Sequence, residues 1–122
     1  MRQCLIVDDN ERFLAVAHER LTSGGVDVVG TATSQAEAMR QAEALHPDIV
    51  LVDISLGSES GFVLTCRLVE SFPELHGRVV LISTRDEDDV ADLVAASPAA
   101  GFIAKSLLSA RAVWSLLGID DR

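Results

Sequence analysis

The sequence predicts a doubly wound α/β fold, with five parallel strands in the order 2-1-3-4-5 and helices on both faces of the sheet. Three observations predict it. Short continuous apolar runs, rich in Val and Ile, read as strands buried on both faces: Cys4–Val7, Ile49–Val52, Val79–Ile82 and Gly101–Ala104. Between the strands, apolar residues recur at helical spacing. The two patterns alternate along the whole chain, and right-handed crossovers then place helices on both faces.

After the first strand, Asn10 caps a helix from about Glu11 to Thr22, with Phe13, Leu14, Ala17 and Leu21 on one side. Ser23-Gly24-Gly25 ends it. Val26–Val29 is the second strand, followed by a turn, Gly30-Thr31-Ala32-Thr33. Ser34, with Glu37 three residues on, forms a capping box for a helix to Leu45 that His46-Pro47-Asp48 stops. The third strand, Ile49–Val52, leads into a polar loop through Gly61, and a third helix runs from about Phe62 to Ser71. The fourth strand is Val79–Ile82. A fourth helix, Asp86 to Ala96, opens with acids that suit the helix dipole, and Ser97-Pro98 breaks it. The short fifth strand, Gly101–Ala104, precedes a last helix over about Ser109–Leu117. The topology is (βα)5, flavodoxin-like.

At 122 residues the chain reads as one domain, residues 1–122, with room for a core that needs no staples. No apolar run is long enough to cross a bilayer. Met1-Arg2-Gln3 enters a strand at once, so no signal peptide is expected and a cytoplasmic setting is. Cys4 and Cys66 are expected as buried small hydrophobes rather than a disulfide or metal site. The net charge is −9, from 10 basic and 19 acidic residues, with no basic stripe. Direct nucleic-acid binding by this domain is therefore disfavoured, and a cation or a basic partner is the natural counterpart.

Each main apolar run ends on a residue that can do chemistry. The first runs into Asp8-Asp9, the third strand into Asp53, the fourth into Ser83-Thr84 and the fifth into Lys105. In a parallel sheet these ends share one edge, where open α/β folds bind ligands. Three carboxylates brought together repel one another, and a dication is the simplest remedy. Oxygen donors with no His or Cys favour a hard ion such as Mg2+ over zinc. Lys105, the Ser83 hydroxyl and a metal are the elements that stabilise charge in phosphoryl transfer. Asp53, alone at its strand end, is the natural nucleophile, forming an aspartyl phosphate. Singly, each residue has an ordinary reading: an Asp after a strand is usually a cap or turn former, and a Lys there is usually solvated. Four such endings on one edge make coincidence a poor account.

The chain resembles the response regulator receiver domain of two-component signal transduction, a member of the CheY-like superfamily. The likeness rests on Leu5-Ile6-Val7-Asp8-Asp9-Asn10, on Pro47-Asp48-Ile49-Val50-Leu51-Val52-Asp53-Ile54, and on spacings of 44 residues from Asp9 to Asp53, 30 to Ser83 and 22 to Lys105. The resemblance implies that Asp53 accepts phosphate from a phosphohistidine on a sensor histidine kinase. It implies Mg2+ held by Asp8, Asp9, Asp53 and the backbone carbonyl of Ser55, and phosphate oxygens bound by Ser83 and Lys105. Phe102 takes the aromatic switch position and is expected to move inward when Ser83 is drawn to the phosphate. The face formed by the fourth helix, fifth strand and fifth helix becomes the readout surface and a possible homodimer contact.

Three positions depart from the family pattern. Gly57 stands where receivers often carry proline. Ser106 follows Lys105 in place of a proline that family members hold in cis; a cis bond before serine costs about 3–4 kcal/mol, so a trans bond is expected unless function demands strain. Thr84 stands where a smaller residue is preferred, and it can crowd the phosphate. His18, His46 and His76 read as surface or capping residues, and Trp114 as core.

The leading expectation is a phosphoacceptor switch, catalysing only its own phosphorylation and dephosphorylation. The alternative is a receiver-like interaction module that works without phosphate. A haloacid-dehalogenase-type phosphohydrolase would need a second acid in Asp53-Ile54-Ser55, and that acid is absent. Output is expected through a downstream protein partner, or through an output domain beyond Gly118–Arg122.

Overall fold

Strand β1 (Gln3–Val7) lies near the middle of the sheet because all but its first residue are buried. The structure, a computed structural model, describes residues 2–118, with the backbone alone at Glu87. Helix α1 (Glu11–Ser23), strand β2 (Asp27–Ala32), helix α2 (Gln35–Leu45) and strand β3 (Ile49–Asp53) follow. Then come α3 (Gly61–Ser71), β4 (Val79–Ser83), α4 (Glu87–Ala95), β5 (Gly101–Ala104) and α5 (Ala110–Leu117). The five strands pair in parallel in the order β2-β1-β3-β4-β5, the predicted doubly wound topology.

The alternation of side chains along each strand divides the core in two. On one face Leu5, Val7, Val50, Val52, Leu81 and Phe102 meet Leu64 and Leu68 of α3 and Val90 of α4. On the other, Ile6, Ile49, Leu51, Val80, Ile82 and Ile103 meet Leu14 and Leu21 of α1 and Val113 and Trp114 of α5. Each large aliphatic side chain removed from water in this way contributes roughly 1.5–3 kcal/mol before chain entropy is set against it. Trp114 is core, as expected, while all three histidines are exposed.

Caps form where the sequence placed them. The Asn10 side chain accepts from the N–H groups of Arg12 and Phe13. Ser34 Oγ accepts from Glu37 N, and Glu37 Oε1 reaches back one residue further than the capping box expects, to Thr33 N at 2.8 Å. His46 closes α2 in the left-handed region, at φ 47°.

Three expectations need correction. Residues Gly30–Ala32 are strand, not turn, because Leu5, Ile6 and Val7 of β1 pair with Gly30, Thr31 and Ala32. The loop after Asp53 is a small antiparallel ladder, with Ser55 opposite Ser60 and Leu56 opposite Glu59. Cys66 is exposed, since α3 turns Leu64, Thr65 and Leu68 inward instead, and only Cys4 is buried. Burial pushes the Cys4 thiol up to about 12, so it remains a protonated hydrophobe at neutral pH. The Lys105–Ser106 peptide is trans, as expected. Residues Met1 and Ile119–Arg122, where the expectations about the chain's ends fall, lie outside the described residues.

Candidate functional site

The carboxyl ends of β1, β3, β4 and β5 meet at one edge of the sheet, and each delivers its terminal side chain there. Asp8 follows β1 and is fully buried; its N–H is fixed by Ala32 O at 2.9 Å, and its Oδ1 accepts from Asn10 N at 2.9 Å. Asp9, next in the chain, is exposed. Asp53 closes β3 at 6 % exposure, and its Oδ1 accepts from Ser55 N at 3.2 Å. Oxygen atoms of Asp8, Asp9 and Asp53 lie within 4.8 Å of one another.

Lys105 enters from the far edge, just beyond β5. Its Nζ is 2.6 Å from Asp8 Oδ2 and 3.2 Å from Asp53 Oδ2, and the second contact is also a hydrogen bond. The first lies off the direction a hydrogen bond takes, leaving Asp8 Oδ2 buried with no aligned donor, so that contact is ionic. Lys105 also stands over the Phe13 ring, 4.4 Å from its centroid, and its carbonyl accepts from Arg20 Nη1 at 3.3 Å. Sequence reasoning gave Phe13 only a packing role and did not single out Arg20. Nothing in their local pattern marks them, because their partner lies 85 or more residues away.

The electrostatics follow from two buried acids sharing one ammonium. Burial, and then the like charge of Asp8, push the Asp53 carboxyl up to about 6, against the pull of the Ser55 N–H and Lys105. Lys105 is held above its ordinary range: although burial opposes its charge, the two acids outweigh it. A hard divalent cation suits this donor set. All three groups are oxygen donors, their charges exceed that of Lys105, and the buried Asp8 Oδ2 lacks an aligned hydrogen bond.

Ser83 ends β4, 5 % exposed, one residue beyond Ile82, which pairs with Asp53. Its Oγ accepts from Arg85 N at 3.0 Å, leaving the hydroxyl proton available to donate. Thr84 is exposed. Phe102, on β5, is already inward at 9 % exposure, packed in the core face that carries Leu81 and Val90. Beside it, a cavity of about 670 Å³ runs between β5 and α5, with Asp86, Leu107, Ser115 and Leu116 in its lining.

Glycine makes the geometry of the acceptor loop possible at two points. A Cβ at Gly61 would overlap the Asp53 carbonyl oxygen, so the start of α3 approaches β3 as only glycine allows. Gly57 turns the loop at φ +64°, 3.6 Å (from the place of a Cβ) from Asp9 Oδ2.

Comparison with known proteins identifies the family and the fold. The family model described as response regulator receiver domain matches residues 4–114. The response regulator GacA of Pseudomonas viridiflava is 31 % identical over 106 residues, covering 86 % of this chain and 49 % of GacA. A protein-glutamate methylesterase/protein-glutamine glutaminase of Halobacterium salinarum is 32 % identical over 88 residues, 72 % of this chain and 25 % of that protein. The chain thus spans half or less of the length of these curated relatives. Among solved structures, the signal receiver domain of NarL from Mycobacterium tuberculosis superposes with a TM-score of 0.81 at 29 % identity, covering 96 % of both chains. The response regulator domain of Thermotoga maritima CheB shares the fold, with a TM-score of 0.81 at 22 % identity over 98 % of both chains.

Proposed function

The chain belongs to the response regulator receiver domain family, and from that premise we propose that it is a Mg2+-dependent phosphoacceptor switch. The observation that carries this reading is the position of Lys105 Nζ, 2.6 Å from Asp8 and 3.2 Å from Asp53, with Asp9 beside them. Asp53 attacks the phosphorus of a phosphohistidine on a sensor histidine kinase. The P–N bond breaks, its electron pair leaves with the imidazole, which takes up a proton, and an acyl phosphate remains on Asp53. Asp8, Asp9, Asp53 and the Ser55 carbonyl would hold Mg2+, which would supply positive charge to offset that of the transferring phosphoryl group. Lys105 and Ser83 bind phosphoryl oxygens as charge develops there. Catalysis is confined to the domain's own phosphorylation and dephosphorylation.

The new dianion draws Ser83 and the start of α4, and the face made by α4, β5 and α5 changes with them. That face serves a downstream protein partner, a linked output domain or a second copy. A cytoplasmic location and a single receiver domain over residues 1–122 complete the reading. A phosphorylation-independent interaction module is the second reading; Phe102 is already buried, at 9 % exposure, within the face it would present.

Intact mass after incubation with acetyl phosphate and Mg2+ tests both. Addition of one phosphoryl group, lost in Asp53→Asn and on chelation, is the expected result. No addition from acetyl phosphate or from a panel of phosphorylated kinases would overturn the phosphoacceptor reading and favour the phosphate-independent one.

A further inference from the structure

The acceptor loop is tied to α2 by a set of hydrogen bonds that the phosphoryl chemistry does not itself require. Glu59 Oε1 accepts from Gln35 N at 2.9 Å, filling one of the unpaired N–H positions at the start of α2. The Gln35 side chain returns the contact, its Nε2 donating to Ser60 O at 3.2 Å. Arg67 Nη1, from α3, donates to Gln35 Oε1 at 2.9 Å, which fixes the amide's orientation. Three residues before Gln35, Ala32 O accepts the Asp8 N–H at 2.9 Å. Segment 32–35 therefore holds both limbs of the acidic site: the Asp8-Asp9 limb at one end and the Ser55–Ser60 ladder at the other.

This loop needs such support. It is polar, and Gly57 at its tip has a positive φ. Its ladder has only two residue pairs, too few to be stable alone. We propose that Gln35 and Glu59 are positioning residues for metal-dependent phosphoryl acceptance. They latch the Ser55–Ser60 ladder to α2 and so set the Ser55 carbonyl and Gly57 against Asp9 and Asp53. The proposal rests on the phosphoacceptor reading for its consequence, but the latch is a property of the fold and is measurable without it.

The test compares Gln35→Ala, Glu59→Ala and Glu59→Gln with the wild-type chain. Glu59→Gln keeps an acceptor oxygen for Gln35 N, whereas Glu59→Ala removes it. Amide hydrogen exchange over residues 55–60 is expected to quicken by about 10-fold or more in both alanine variants and to stay near wild type in Glu59→Gln. Mg2+ affinity, by titration, is expected to fall about 10-fold in the same two variants, the usual effect of losing a group that orients a ligand. Melting temperatures are expected to stay within a few degrees of wild type, because every altered contact lies in or beside a surface loop. Unchanged exchange in the alanine variants overturns the latch, as does a Glu59→Gln variant as impaired as Glu59→Ala. Quickened exchange with unchanged Mg2+ affinity overturns the positioning role. If the wild-type chain neither binds Mg2+ nor takes phosphoryl, the functional reading fails instead, and the exchange data still decide the latch.

Discussion

Lys105 and Asp8 stand 2.6 Å apart although their strands, β5 and β1, are separated in the sheet by β3 and β4. The lysine reaches across the carboxyl edge and passes Asp53 at 3.2 Å on the way. One ammonium thus faces two buried acids, and the pair is left short by one positive charge. Metal binding, pH response and stability at this edge all follow from that deficit.

Lys105→Met is expected to leave Asp8 and Asp53 facing each other without a counter-charge. Removing one partner of a buried pair costs about 3–5 kcal/mol, with the low end expected because the Lys105 side chain keeps 12 % exposure. Mg2+ should restore much of the loss and bind more tightly than to wild type, since it no longer competes with the ammonium. Urea unfolding with and without Mg2+ checks this; equal stability of the two proteins without metal would refute it.

The pH response has a definite sign. Asp53 titrates at about 6 in the fold against 3.8 ordinarily, so the folded state holds its proton more tightly than the unfolded chain does. Its contribution is therefore favourable below the ordinary value and is lost as pH rises through about 6. Asp53→Asn should remove this slope and stabilise the metal-free protein at pH 7, by up to about 3 kcal/mol. Protons and metal compete for the carboxylate, so Mg2+ affinity should drop as pH falls below about 6. Lys105, also held above its ordinary value, acts in the same sense at higher pH: its contribution persists through neutral pH and is lost only above its ordinary 10.5. Calorimetric titration and denaturant curves across this range measure all three effects.

Restoring proline at position 57 is expected to harm the protein. Proline fixes φ near −65°, and Gly57 sits at +64°. Gly57→Pro should therefore disrupt the ladder and weaken Mg2+ binding, while Gly57→Ala costs only about 1–2 kcal/mol. Gly61→Ala should be worse than Gly57→Ala, because its methyl group meets the Asp53 carbonyl rather than open loop. Thermal melts and Mg2+ titrations rank the three variants.

Trp114→Phe is expected to cost less than about 2 kcal/mol. The indole Nε1 is buried with no hydrogen-bond partner among the described residues, so losing its N–H gives back a desolvation cost that partly offsets the smaller ring. A loss well above this in chemical denaturation would mean that Nε1 has a strong partner in solution.

Much of this was legible in the sequence because it is local. Val50, Leu51 and Val52 announce a doubly covered strand, and the residue after them is then at its carboxyl end. The same logic placed Asp8, Ser83 and Lys105. Gly30–Ala32 was misread for the opposite reason: glycine and threonine favour a turn, and only pairing with Leu5–Val7 makes them strand. Cys66 was misplaced because one apolar residue among several on α3 does not say which way it faces.

By itself, then, the sequence determined five parallel strands and the chemical group that follows four of them, since apolar runs and caps act over a few residues. The tertiary structure alone decided that Lys105 spans to Asp8, that Asp53 is dry enough to titrate near 6, that Phe102 is inward, and that Gln35 fastens the acceptor loop. Those outcomes depend on side chains from crossovers distant in the chain meeting within a few ångströms, and on the water their meeting excludes. Neither quantity exists until the sheet has closed around them.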